Sequence, residues 1–93
     1  MGGLNTEIKH KGMVLLVQTQ DKGLKAQYVE SLVYSYGKIL VSRKIFYTSF
    51  LNSPDLESTI REIIRNQHQK ILDDISQGKF DHILNPKPAP NSA

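Results

Sequence analysis

Three histidines, a glutamine within an apolar stripe, two adjacent aspartates and one basic triplet are the side chains of this 93-residue sequence whose types permit chemistry. His10, His68 and His82 are far apart, and no pair has the spacing with which a helix or strand offers two ligands to one metal. His68 falls beside an apolar helical stripe, near Ile64, Leu72 and Ile75. That position suits a buried base, a pH-sensitive group or a boundary histidine with a satisfied hydrogen bond. Gln67 lies nearer the centre of the stripe. A buried amide without a partner costs about 1–3 kcal/mol, so Gln67 is expected to bond to backbone, meet a dimer axis or line a ligand site. Asp73 and Asp74 diverge around a helix and form no general acid–base pair. Ser42-Arg43-Lys44 is a basic strand segment that suits a phosphate, or simply a solvated strand face.

Other chemistries are excluded by what the sequence lacks. There are no cysteines, which removes disulfides, thiolate metal sites and cysteine nucleophiles together. No glycine-rich phosphate loop and no G-x-S-x-G elbow is present, because Gly12, Gly23, Gly37 and Gly78 are isolated. The sequence therefore predicts a chain that is not an enzyme and holds no cofactor. The net charge of +3 and pI near 9.3 permit weak contact with polyanions without demanding it. The longest apolar run, Met13 to Val17, is far too short to cross a membrane. The N-terminus has no basic region followed by an apolar run, so no signal peptide is read there. Absence of cysteine suits a reducing compartment, and a cytoplasmic location is the expectation.

The elements that must position these residues follow from the hydrophobic pattern. Residues 1–10 read as a flexible lead-in, 11–84 as one α+β domain, and 85–93, with three prolines between Pro86 and Pro90, as an extended tail or linker. Strands are predicted over 12–20, 25–35 and 38–47. Short links at Asp21-Lys22-Gly23 and Tyr36-Gly37 make them an antiparallel meander. A two-residue loop at Tyr36-Gly37 sets Ser35 opposite Lys38, Leu32 opposite Val41 and Glu30 opposite Arg43. One long helix follows, capped by Ser53, opened by Pro54 and closed by Gly78. Leu56, Ile60, Ile63, Ile64, Ile71 and Ile75 form its buried stripe, and Glu62, Arg65, Asn66, Gln69 and Asp73 its wet face. Phe80, Ile83 and Leu84 are expected to fold back over one end of the core.

The strands carry more apolar surface than one helix covers. That register places Tyr28, Leu32, Tyr34, Ile39, Val41 and Ile45 on one face and Val29, Val33, Leu40 and Phe46 on the other. The first strand is apolar on both faces and would be an edge, a hazard for an isolated subunit. The leading expectation is therefore an interaction module, completed as a homodimer or by a peptide added to an edge strand. The alternative cover is the chain's own N-terminal arm together with residues 80–84. Tyr28, Tyr34, Tyr36 and Tyr47 are the contact candidates, with Arg43, Gln67 and His68 beside them. A second expectation is a nucleic-acid face built on Tyr28, Tyr34, Arg43 and Lys25. The chain lacks the first helix of a double-stranded-RNA-binding domain and that domain's lysine cluster; its helix opens on Pro54-Asp55-Leu56-Glu57, which is acidic. A third is a small-molecule site between sheet and helix, using Gln67 and His68.

Overall fold

The computed structural model describes residues 3–84. The proline-rich segment over 85–93 lies outside the described residues. Four strands run in sequence: β1 (Gly3–His10), β2 (Met13–Asp21), β3 (Tyr28–Ser35) and β4 (Lys38–Phe46). A 3-10 turn (Thr48–Phe50) leads to α1 (Leu56–Ser76), and a single helical turn, α2 (Asp81–Leu84), follows. The strands form one antiparallel sheet in the order β1-β2-β3-β4.

The sheet therefore has four strands, where three were predicted. Residues 3–10, read as a flexible lead-in, pair along the whole of β2, from Gly3 opposite Gln20 to His10 opposite Met13. The strand was missed because its apolar residues, Leu4 and Ile8, are diluted by Asn5, Thr6, Glu7 and Lys9. Its hairpin closes on Lys11-Gly12, both at positive φ (50° and 83°), as Tyr36-Gly37 does at 51° and 79°. Two such residues in succession make the mirror-image turn whose twist matches antiparallel strands. β1 also removes the edge that β2 would otherwise expose.

The β3–β4 register holds only next to the turn. Ser35 lies opposite Lys38 and Tyr34 opposite Ile39, as predicted. A β-bulge at Leu40 then inserts one residue, so Val33 faces Val41, Leu32 faces Ser42 and Glu30 faces Lys44. A one-residue slip moves every later side chain to the other side. Val41, Arg43 and Ile45 therefore join Val29, Ser31 and Val33 beneath the helix, not Tyr28, Leu32 and Tyr34 as the uninterrupted register required.

The helix forms as its stripe dictates, with a different cap. Asp55, not Ser53, receives the Ser58 N–H, at 3.2 Å. Ser53 N–H instead donates to the Phe50 carbonyl, at 2.9 Å, which places Ser53 in the turn before the helix. Glu57 in the first turn meets the positive end of the helix dipole. Ile60, Ile64, Ile71 and Ile75 are buried, while Glu62, Arg65, Asn66, Gln69 and Asp73 are exposed. α1 lies across β1, β2 and β3. Leu15, Val17 and Val33 pack with Ile71, Ile75 and Leu84 at one end of the core; Val29 and Tyr47 pack with Ile60 and Ile64 at the other. Leu84 and Phe80 do fold back over the first of these ends. No helix among the described residues is long and apolar enough to cross a membrane.

Candidate functional site

The two faces of the sheet differ in kind. The helix-facing side contains a buried polar chain linking His68 to three hydroxyls. Thr6 Oγ1 is 2.8 Å from His68 Nε2, Thr19 Oγ1 is 2.7 Å from Nδ1, and Ser31 Oγ is 2.7 Å from Thr19 Oγ1. These hydroxyls come from neighbouring strands because Thr6 and Thr19 both point under α1, and Thr19 lies directly opposite Ser31. A neutral ring satisfies the whole chain: one nitrogen donates, the other accepts, and the hydroxyls rotate to match.

Burial in this setting lowers the His68 pKa below its ordinary value, since desolvation penalises the imidazolium. The unfolded chain, whose His pKa is about 6.5, then takes up the proton first. Stability is full above that pH and falls as the pH drops through it. Urea midpoints measured from pH 8 to pH 5 are expected to decline in the wild type and to decline less in His68→Gln. Equal slopes in the two proteins would remove His68 as the cause.

Gln67 is buried one residue away. Its Nε2 donates to the Val29 carbonyl at 3.2 Å and the Arg43 carbonyl at 3.1 Å. Two acceptors on one side fix which end of the amide is nitrogen. Its Oε1 is buried and has no donor among the described residues. Asp74 is buried as well. Burial alone would raise its pKa, but the hydrogen bonds from Lys70 and Arg43 and the charges of Lys70 and Lys79 outweigh this and hold it below the usual carboxylate range. Arg43 Nη1 donates to Asp74 Oδ2 at 3.2 Å, and the Lys70 ammonium stands 3.1 Å from Oδ1. At the far end of the sheet Asp81 joins α2 to the β1–β2 turn through Lys11 and His10; these two bonds lower its pKa too. Both carboxylates add stability above their unfolded pKa near 4 and lose it on further acidification.

Among the described residues, no element lies over the other face. Val14 and Leu16 from β2, Leu32 and Tyr34 from β3, and Ile39 from β4 form one apolar strip, since Leu16 lies opposite Tyr34 and Tyr34 opposite Ile39. A shallow hollow of about 390 Å³ opens beside the strip, lined by Glu7, Val14, Leu16, Gln18, Tyr34 and Tyr36. At the far end the Tyr28 and Phe46 rings meet at a tilt of 56°, 5.1 Å between centroids, with the Lys44 ammonium 4.9 Å over Tyr28. Phe46 and Ile39 remain 58% and 56% exposed.

The predicted contact residues divide across this sheet. Tyr28 and Tyr34 are on the open face, and Tyr36 stands in the β3–β4 turn at its rim, 86% exposed. Tyr47 is fully buried; its hydroxyl donates to Asp21 Oδ1 at 2.7 Å, so it belongs to the core. Arg43, Gln67 and His68 are on the helix side. Val14 and Leu16, central to the open face, were not singled out from sequence, because β2 reads as apolar on both sides; Ile39 was read on the face of Tyr34 and lies opposite it. Neither the N-terminal arm nor residues 80–84 reach this face: the first serves as β1 and the second caps the core. No protein-family model, curated protein or solved structure matches the chain.

Proposed function

We propose that this chain is a protein-interaction module that pairs with a second copy through the open face of its sheet. The apolar strip Val14, Leu16, Leu32, Tyr34 and Ile39, left without cover by every described element, carries the reading. Antiparallel sheets that face water alternate cleanly between apolar and polar sides, and this one does not. Four strands about 4.8 Å apart, each about 27 Å long, give a face of roughly 500 Å² in projection. The charges on this face balance, Glu7 and Glu30 against Lys9 and Lys44, so a second copy meets no net repulsion. Two such sheets packed face to face would make a sandwich with a helix on each outer side.

A nucleic-acid reading draws on Lys44 over Tyr28 and on the exposed Phe46. It is weakened by Arg43, which faces the helix and pairs with Asp74, and by Glu7 and Glu30 among the strand residues. The chain has no cysteine, so single-cysteine variants are clean probes. Gln18→Cys, on the open face, is expected to form a disulfide-linked dimer under mild oxidation. Gln69→Cys, on the wet side of α1, is expected to stay monomeric on a denaturing gel. Equal cross-linking at both positions would contradict the assignment of the face.

A further inference from the structure

The second open surface is the outer edge of β4, which pairs with no further strand among the described residues; α2 touches β4 only at the end near Leu40 and Val41. Tyr47 N–H donates to the Gln27 carbonyl at 2.9 Å. In an antiparallel ladder, bonded and non-bonded pairs alternate. Counting back from this bond, Ser42, Lys44 and Phe46 turn their backbone N–H and C=O groups outward. β1 is the other edge, but α1 lies over it, and β1 carries Glu7. β4 contains no acidic residue and three basic ones: Lys38, Arg43 and Lys44.

Between this edge and α1 runs a groove of about 300 Å³, lined by Arg43, Ile45, Ile63, Asn66, Gln67 and Lys70. Its floor is apolar, with Ile45 41% exposed. It also passes Gln67, the buried amide whose oxygen has no donor among the described residues. Three cations, Arg43, Lys70 and Lys79, surround the Asp74 carboxylate.

We propose that the β4 edge and this groove bind an extended acidic segment of a partner protein, added to the sheet as a fifth strand. Strand addition supplies the main-chain bonds, and alternate side chains supply the selectivity. Side chains of the incoming strand on the helix side enter the groove between Ile45 and Ile63, where aliphatic residues fit. Aspartate or glutamate at the intervening positions faces the open side of the sheet and lies near Lys44; an acidic side chain on the helix side, at the groove rim, lies near Lys70. The bulge at Leu40 interrupts the edge, so the usable stretch is Val41 to Phe46, about three pairs of main-chain bonds. A second copy of this chain is the poorer occupant, because edge-to-edge pairing of two β4 strands brings Arg43 and Lys44 against their own kind. The main-chain edge and the groove lie outside the apolar strip of Val14, Leu16, Leu32, Tyr34 and Ile39, so this binding does not depend on dimerisation.

The test is a titration of the full chain with a fluorescein-labelled octapeptide alternating valine and glutamate, followed by anisotropy and by amide chemical shifts. Binding in the range of tens of micromolar is expected at low salt, with shifts concentrated in 41–46 and 63–70. Methylating alternate amide nitrogens of the peptide, which leaves the protein untouched, is expected to weaken binding at least about tenfold. Ile63→Glu is expected to do the same. No binding at about 1 mM peptide would overturn the proposal. So would equal binding of the N-methylated peptide, of a valine–lysine counterpart or of a single-stranded oligonucleotide, and so would shifts confined to the open face.

Discussion

Leu16→Asp is expected to leave the chain folded and to abolish self-association, while Val17→Asp, one residue on, is expected to unfold it. The two side chains point to opposite sides of β2. Val17 is fully buried against Ile71 and Ile75. A carboxylate there has no cation within the core cluster, and an unpaired buried charge costs several kcal/mol, enough to consume most of a stability of about 5–15 kcal/mol. Leu16 faces the open side, opposite Tyr34. In a lone subunit Leu16→Asp is a surface change with a cost of about 1 kcal/mol or less, mostly lost strand preference. In a sandwich of two copies the same carboxylate is buried without a partner, and a penalty of about 4 kcal/mol weakens association about a thousandfold. Circular dichroism gives the fold of each variant and sedimentation gives its mass. A Leu16→Asp protein that is folded and associates as tightly as wild type would contradict the assignment of the face.

Tyr47→Ala is expected to cost about 3–5 kcal/mol and Tyr47→Phe about 1–1.5 kcal/mol in urea unfolding. Tyr47 fills the core beside Val29, Ile60 and Ile64 and follows β4 directly. Its hydroxyl donates to Asp21 Oδ1, the same oxygen that receives the Gly23 N–H at 2.9 Å. One carboxylate oxygen thus ties the end of β2, the β2–β3 loop and the end of β4 together. Desolvation, reinforced by the Asp21 hydrogen bond and charge, raises the Tyr47 pKa to about 12. The unfolded chain ionises first, near pH 10, so the contribution is complete below that pH and is lost as the pH rises toward 12. Tyr47→Phe is expected to lack that alkaline decline. If Tyr47→Ala unfolds at the wild-type urea midpoint, the side chain is not in the core.

Much of the fold was legible in the pattern of residues. α1 was visible through the recurrence of Ile60, Ile64, Ile71 and Ile75 and its acidic first turn, and both hairpins from β2 to β4 were visible through alternation and glycine. Two features were not. β1 has too few apolar residues to stand out, because a strand that covers an edge needs hydrogen bonds more than grease. The Leu40 bulge has no local mark at all, since Leu40 has the same character as Ile39 and Val41. It is dictated from afar: Val41, Arg43 and Ile45 gain the helix side, where Arg43 finds Asp74. That slip is why the open face was read with the wrong β4 residues. Of the side chains first singled out, Gln67 and His68 lie inside the helix–sheet seam: His68 is bonded at both nitrogens by Thr6 and Thr19, whereas Gln67 donates to Val29 and Arg43 while its oxygen has no donor among the described residues. Tyr47 was misplaced by the same slip: the uninterrupted register set it on the face of Tyr28 and Tyr34, whereas after the bulge it follows Ile45 to the helix side, and its N–H continues the ladder to Gln27.

The most direct measurement is sedimentation equilibrium on the wild-type chain from about 1 to about 100 μM, a span that brackets ordinary dimer affinities. A mass moving from near 10.5 kDa toward twice that value with concentration, or already doubled throughout, is the expected result. A constant 10.5 kDa over the whole range would mean that the strip formed by Val14, Leu16, Leu32, Tyr34 and Ile39 does not draw a second copy onto it.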